Sequence, residues 1–130
     1  MVIVDTSVWI EYFRGVDHPE TIWLERELQR QPLGLTDLIL CEILQGVRDA
    51  VFRQVRADLL RFHVFESCSV MLALSAAENY RTLRRNGYTV RSTIDSLIAT
   101  FCIENNHRLL HRDRDYDAFE TTLGLEVVHP

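Results

Sequence analysis

Short apolar runs alternate with longer stretches of helical period along this chain. Val2-Ile3-Val4 is a buried-strand pattern, ended by Asp5-Thr6-Ser7, a group suited to starting a helix. Val8, Trp9, Tyr12 and Phe13 follow at helical spacing up to Gly15, and Pro19 to Gln29 forms a second helical stretch. Leu33-Gly34-Leu35 reads as another strand capped by Thr36. The helix after it carries Leu38, Ile39, Ile43 and Leu44 and stops at Gly46. Val51, Val55, Leu59 and Phe62 mark a further helix, running into strand-like Phe62-His63-Val64-Phe65. Ser69 opens a long helix with Leu72, Ala76, Tyr80 and Leu83 on one face, closed by Asn86-Gly87. Ser92 opens the helix of Ile94, Leu97, Ile98, Phe101 and Cys102. Leu109-Leu110 is a short strand, Tyr116 to Thr122 a short helix, and Leu125-Glu126-Val127-Val128 a final strand. Apolar strands alternating with helices predict an α/β fold around a parallel sheet.

Composition bounds this picture. The 130 residues are 47% hydrophobic and 25% charged, enough to fill a core and expected to form one domain over 1–130. No apolar run approaches the roughly 18 residues of a membrane span, and Met1–Asp5 is too short for a signal peptide. A cytoplasmic protein without membrane contact is expected. Cys41, Cys68 and Cys102 are far apart and lack a C-x-x-C pair, so they read as buried hydrophobes in a reducing compartment. The net charge of −5 argues against a nucleic-acid ligand, but its distribution softens that. All 14 basic residues are arginine. Seven of them, Arg81, Arg84, Arg85, Arg91, Arg108, Arg112 and Arg114, fall between positions 81 and 114, where they offer a phosphate track or a solvated face.

Most acids are scattered, but five are placed differently. Asp5 and Asp113 follow strands, Glu42 lies on the helix after the second strand, and Asp95 is in the first turn of the Ser92 helix. Asp115 sits close behind Asp113. Ligands of open parallel sheets bind beyond the carboxyl ends of the strands, the edge where Asp5, Glu42 and Asp113 emerge. Asp95 joins them if its helix starts there and runs back along the sheet. Clustered carboxylates need a counter-charge, and Mg²⁺ or Mn²⁺ with oxygen ligands supplies it. Each acid also has a plainer reading: Asp5 and Asp113 as helix caps, Ser92–Asp95 as a capping box, Glu42 as a surface residue.

Four strings go beyond spacing. Val2-Ile3-Val4-Asp5-Thr6-Ser7-Val8-Trp9-Ile10, Cys41-Glu42-Ile43-Leu44-Gln45-Gly46, Asp95-Ser96-Leu97-Ile98-Ala99 and Leu110-His111-Arg112-Asp113-Arg114-Asp115-Tyr116 occur in that order. Together they resemble the motifs of PIN-domain ribonucleases of the VapC toxin type. The resemblance implies a three-layer α/β/α fold with a five-stranded parallel sheet of order 3-2-1-4-5. It also implies a Mg²⁺-dependent endoribonuclease acting on structured RNA such as tRNA or rRNA, with Mn²⁺ as an alternative ion. A VapB-type antitoxin would fill the acidic groove, DNA would be met only through that antitoxin, and homodimers are expected. Asp5 and Asp95 are then the main metal ligands, with Glu42 and Asp113 or Asp115 completing the site. Thr6 and Ser7 would offer hydroxyls near the scissile phosphate, and Arg91, Arg112 and Arg114 would position the RNA backbone. His111 departs from the Ser or Thr often found there, and reads as a structural residue, a phosphate donor or a general acid. Two rivals are a phosphatase using Asp5 as nucleophile, which would want an acid where Ser7 stands, and a PIN module that binds without cutting.

Overall fold

The structure, a computed structural model, describes residues 1–130. Four parallel strands, β1 (Val2–Val4), β2 (Leu33–Thr36), β3 (His63–Phe65) and β4 (Arg108–Leu110), form one sheet in the order β3-β2-β1-β4. Seven helices accompany them: α1 (Thr6–Phe13), α2 (Pro19–Glu27), α3 (Asp37–Gly46), α4 (Phe52–Leu59), α5 (Val70–Arg85), α6 (Thr93–Glu104) and α7 (Asp117–Leu123). From β1 the chain steps twice in one direction, to β2 and then β3, and afterwards crosses back over both to β4. Right-handed crossovers therefore put α1 to α4 on one face of the sheet and α5 and α6 on the other. The direction reverses between β1 and β4, and Asp5 N–H donates to the Leu110 carbonyl at that point (2.9 Å).

Local chemistry agrees with the boundaries. Thr36 accepts from Ile39 N to cap α3, Ser69 from Leu72 N to cap α5, and Ser92 from Asp95 N to cap α6. Val2, Ile3 and Val4 are buried within a continuous core of 25 residues that also holds Trp9, Leu35, Ile43, Leu83, Ile98 and Phe119. Gly34 is required for space: a Cβ there would stand 3.0 Å from the His63 carbonyl oxygen and 3.1 Å from the Phe65 ring, so glycine lets β3 close on β2. Gly124, at φ +78°, ends α7 in the left-handed conformation.

Three expectations change. The fifth strand shrinks to one parallel bridge, Leu109 with Val127, supported by Leu109 N to Glu126 O and Val128 N to Leu109 O. Its position beside β4 keeps the order 3-2-1-4-5, but Leu125 and Val128 are the buried residues, and a spacing of three is not a strand alternation. Cys41 and Cys68 are exposed, and only Cys102 is buried. On α5, Leu72, Ala76 and Leu83 face the core as expected, while Tyr80 is 37% exposed and Asn79 turns toward α6, donating to Thr100 Oγ1 (3.0 Å).

Candidate active site

The carboxyl ends of β1 and β4, the middle of α3 and the first turn of α6 meet at the switch point. Asp5 caps α1 and is only 4% exposed. Its Oδ2 accepts from Ser7 N (3.0 Å) and Ser7 Oγ (2.6 Å), and its Oδ1 accepts from the Tyr116 hydroxyl (2.8 Å). The same hydroxyl reaches Asp95 Oδ1 at 3.3 Å, so a buried phenol stands between the two carboxylates. Glu42 extends from α3 to Thr6, whose Oγ1 donates to Glu42 Oε1 (2.9 Å). Asp113 follows β4, and its Oδ1 accepts from Asp115 N (2.9 Å), opening the turn that carries Asp115 and Tyr116. Carboxylate oxygens of Asp95, Asp113 and Asp115 all lie within 4.8 Å of one another.

The electrostatics follow from this crowding. Burial, then the charges of Asp5 and Asp113, push the Asp95 carboxyl up to about 7, against an ordinary 3.8. Burial also raises Glu42; the Thr6 hydrogen bond opposes the rise, and Asp5 and Asp113 add to it. Burial and the flanking carboxylates hold Tyr116 well above the usual phenol range, so its proton stays in place as a donor. Without a counter-ion the site keeps a proton near neutral pH. Four to five carboxylates with free oxygens and hard-donor chemistry suit a divalent cation, which would replace that proton.

Among the residues singled out from sequence, Asp5, Glu42, Asp95, Asp113 and Asp115 converge here. Asp95, Asp113 and Asp115 form a group of three with donor oxygens in mutual reach, and Asp5 and Asp95 share the Tyr116 hydroxyl. Both Asp113 and Asp115 stand beside Asp95, but Asp113 is the one whose charge is felt at Asp95 and Glu42. Thr6 and Ser7 stand at the site, beside Glu42 and Asp5. Their hydroxyl protons are given to Glu42 and Asp5, and Ser7 Oγ further accepts from Arg112 N (3.0 Å), so they orient the acids. The guanidinium of Arg112 is held by Glu20 of α2 (3.2 Å), whereas Arg91 and Arg114 are exposed and form no ion pair.

His111 packs beside the acids. Its Nδ1 accepts from Asp113 N (3.1 Å), its ring lies 4.8 Å from that of Tyr116, and burial lowers its pKa below 6.5. Its Nε2 is buried without a partner. Two participants were missed from sequence. Tyr116 was visible only as the aromatic after Asp-x-Asp, and Glu20 had no signal at all, being 92 positions from Arg112.

The model of the PIN domain matches residues 2–121. The chain belongs to the PIN domain family. Ribonuclease VapC11 of Mycobacterium tuberculosis is 32% identical over 133 residues, covering 98% of this chain and 97% of that protein. VapC ribonuclease Mb1587 of Mycobacterium bovis matches to the same extent. Among solved PIN-type folds, VapBC2 from Rickettsia felis bound to a promoter DNA fragment superposes with a TM-score of 0.74 at 19% identity, covering 98% of both chains. VapC20 of Mycobacterium tuberculosis, described as a sarcin-ricin loop cleaving toxin, gives 0.70 at 16% identity over the full length of both. The VapC-type motifs read from sequence therefore belong to a PIN domain of matching length and fold, and an aspartyl-nucleophile phosphatase is set aside.

Proposed function

We propose that this PIN domain is a Mg²⁺-dependent endoribonuclease, with Mn²⁺ as an alternative ion, and the toxin of a toxin–antitoxin pair. The observation that carries the reading is the convergence of carboxylates at one sheet edge: Asp5 and Asp95 on the Tyr116 hydroxyl, Asp113 and Asp115 within 4.8 Å of Asp95, and Glu42 close enough to feel Asp5 and Asp113. The names of its VapC relatives support the ribonuclease class. Asp95, Asp113 and Asp115 would hold the ion, with Asp5 and Glu42 completing the acidic shell. When bound, such an ion neutralises the carboxylates, acidifies water and steadies charge on a phosphoryl group.

The chain's own residues prepare that environment. Ser7 and Tyr116 fix the rotamer of Asp5, Thr6 fixes that of Glu42, and the Asp115 amide fixes Asp113. Supporting hydrogen bonds of this kind orient ligands and are worth ~10–100-fold in activity. Arg91 and Arg114, exposed and unpaired, would meet the phosphates of a structured RNA such as tRNA or rRNA. A VapB-type antitoxin is the proposed inhibitor, supported by relatives of this fold solved as VapBC complexes, some of them bound to DNA. A homodimer acting in the cytoplasm completes the reading.

The test is RNA cleavage by the purified protein with Mg²⁺, against EDTA as control. Asp5→Asn and Asp95→Asn should each reduce cleavage by at least ~100-fold, the scale of losing a principal electrostatic stabiliser. Retention of most activity in either variant, with host nucleases excluded, would overturn the mechanism. Uncut RNA with undiminished binding would instead indicate a binding module.

A further inference from the structure

The seven arginines between positions 81 and 114 do not share one environment. Arg108 begins β4 beside Val2, at the end of the sheet away from Asp5. Arg112 is engaged by Glu20. Arg81, Arg84 and Arg85 are different: all three are exposed, none forms an ion pair, and with Ala77 and Tyr80 they line an open groove of ≈ 600 Å³ on α5. Residues 77, 81, 84 and 80, 84 recur at helical spacing, so the groove is one continuous face of the helix. Glu78 is the nearest acid on this helix and pairs with none of them. Arg84 and Arg85 lie in the last turn, where the helix dipole favours cations, but the dipole gives no account of Arg81 or of the exposed Tyr80 ring.

The groove's place in the fold gives it meaning. The Asn79–Thr100 hydrogen bond sets the register of antiparallel α5 and α6. Moving five residues forward along α5 and five back along α6 puts Arg84 level with Asp95. Packed helices lie about 8–10 Å apart, so Arg84 stands at the same end of the α5–α6 pair as Asp95, on the outer helix. Arg91, exposed in the segment joining the two helices, lies at the same end. In a chain of net charge −5, uncompensated guanidinium groups beside an aromatic face are complementary to a polyanion.

We infer that the Arg81, Arg84 and Arg85 face of α5, continued by Arg91, is an RNA-backbone docking surface that holds the strand flanking the cleavage point. The inference rests on the ribonuclease reading for its choice of polyanion. The guanidiniums would contact phosphates and Tyr80 would stack on an unpaired base, binding RNA without reading its sequence. Such contacts lower KM for long substrates and leave the chemical step on a short one unchanged, because a short RNA does not reach α5.

The test compares the wild-type chain with an Arg81→Ala, Arg84→Ala, Arg85→Ala variant, binding a fluorescent structured RNA in EDTA over a range of salt. Loss of three phosphate contacts should weaken binding at least ~10-fold and reduce the log–log salt slope by about 2–3. Lysine at the same three positions should restore most of the slope, since the charge remains. With Mg²⁺, the alanine variant should cut a short oligonucleotide at the wild-type rate and a long RNA more slowly at low concentration. Unchanged affinity and slope would overturn the inference, as would equal losses on short and long RNA at unchanged melting temperature. Unchanged RNA binding with weakened binding of poly-glutamate would assign the face to an acidic protein segment instead. Binding is measured without metal, so failure of the catalytic reading, seen as cleavage by Asp5→Asn, is distinguishable from failure of this one.

Discussion

Asp5 and Asp95 flank the same phenol and are held in opposite ways. Asp5 ends a buried strand and receives two hydrogen bonds from Ser7 and one from Tyr116, the shortest at 2.6 Å. Asp95 lies in the first turn of α6, and its side chain receives only the longer 3.3 Å bond from Tyr116. One carboxylate is a fixed wall of the site, and the other is crowded by charge and held near neutral pH by a proton. A site built this way is incomplete by itself on the Asp95 side. Of the two, the acid with fewer protein donors is the one more in need of a cation.

Asparagine substitutions should separate the two sides, in metal-free protein at pH 8. Asp5→Asn turns an NH₂ toward the Ser7 donors and should cost about 1–3 kcal/mol, the penalty for donors left unsatisfied in a buried place. Asp95→Asn removes a repelled charge and should stabilise by about 1–2 kcal/mol, allowing for solvent screening of a half-buried group. Denaturant unfolding in EDTA reads both, and a shared sign would break the comparison. The pH dependence sharpens it. Asp95 binds its proton more tightly folded, about 7 against 3.8, so its contribution is fully present below pH 4 and lost as pH rises through about 7. Wild-type stability should therefore fall, relative to Asp95→Asn, across that window. A smaller effect is expected from Tyr116→Phe, which removes the shared donor but leaves Ser7 on Asp5. A loss of about 1 kcal/mol in the same assay fits one net hydrogen bond.

Much of this site is legible in the sequence, for physical reasons. Asp5 and Asp113 come directly after short apolar runs, and parallel strands deliver whatever follows them to one edge. Asp95 needed only the antiparallel return of α6, marked by the Ser92 cap. What could not be read is how side chains share protons. The type and position of Thr6 and Ser7 say nothing of hydroxyl direction, and both point back at acids. The capture of Arg112 by Glu20 depends on α2 docking beside the β4 loop, a contact between distant segments. The last strand failed for a different reason: its apolar residues suit burial, but Leu125 and Val128 turn inward out of strand phase. Arg84 came level with Asp95 only once the register of α5 on α6 was known.

Calorimetric titration of Mg²⁺ into the wild-type chain and Asp95→Asn, at pH 6 and pH 8, tests the central claim that these carboxylates form a cation site. The account predicts saturable binding to wild type, tighter at pH 8 than at pH 6 and accompanied by proton release near pH 7. Asp95→Asn should bind at least ~10-fold more weakly, without that proton release. Equal binding by both proteins, or binding indifferent to pH, would contradict it.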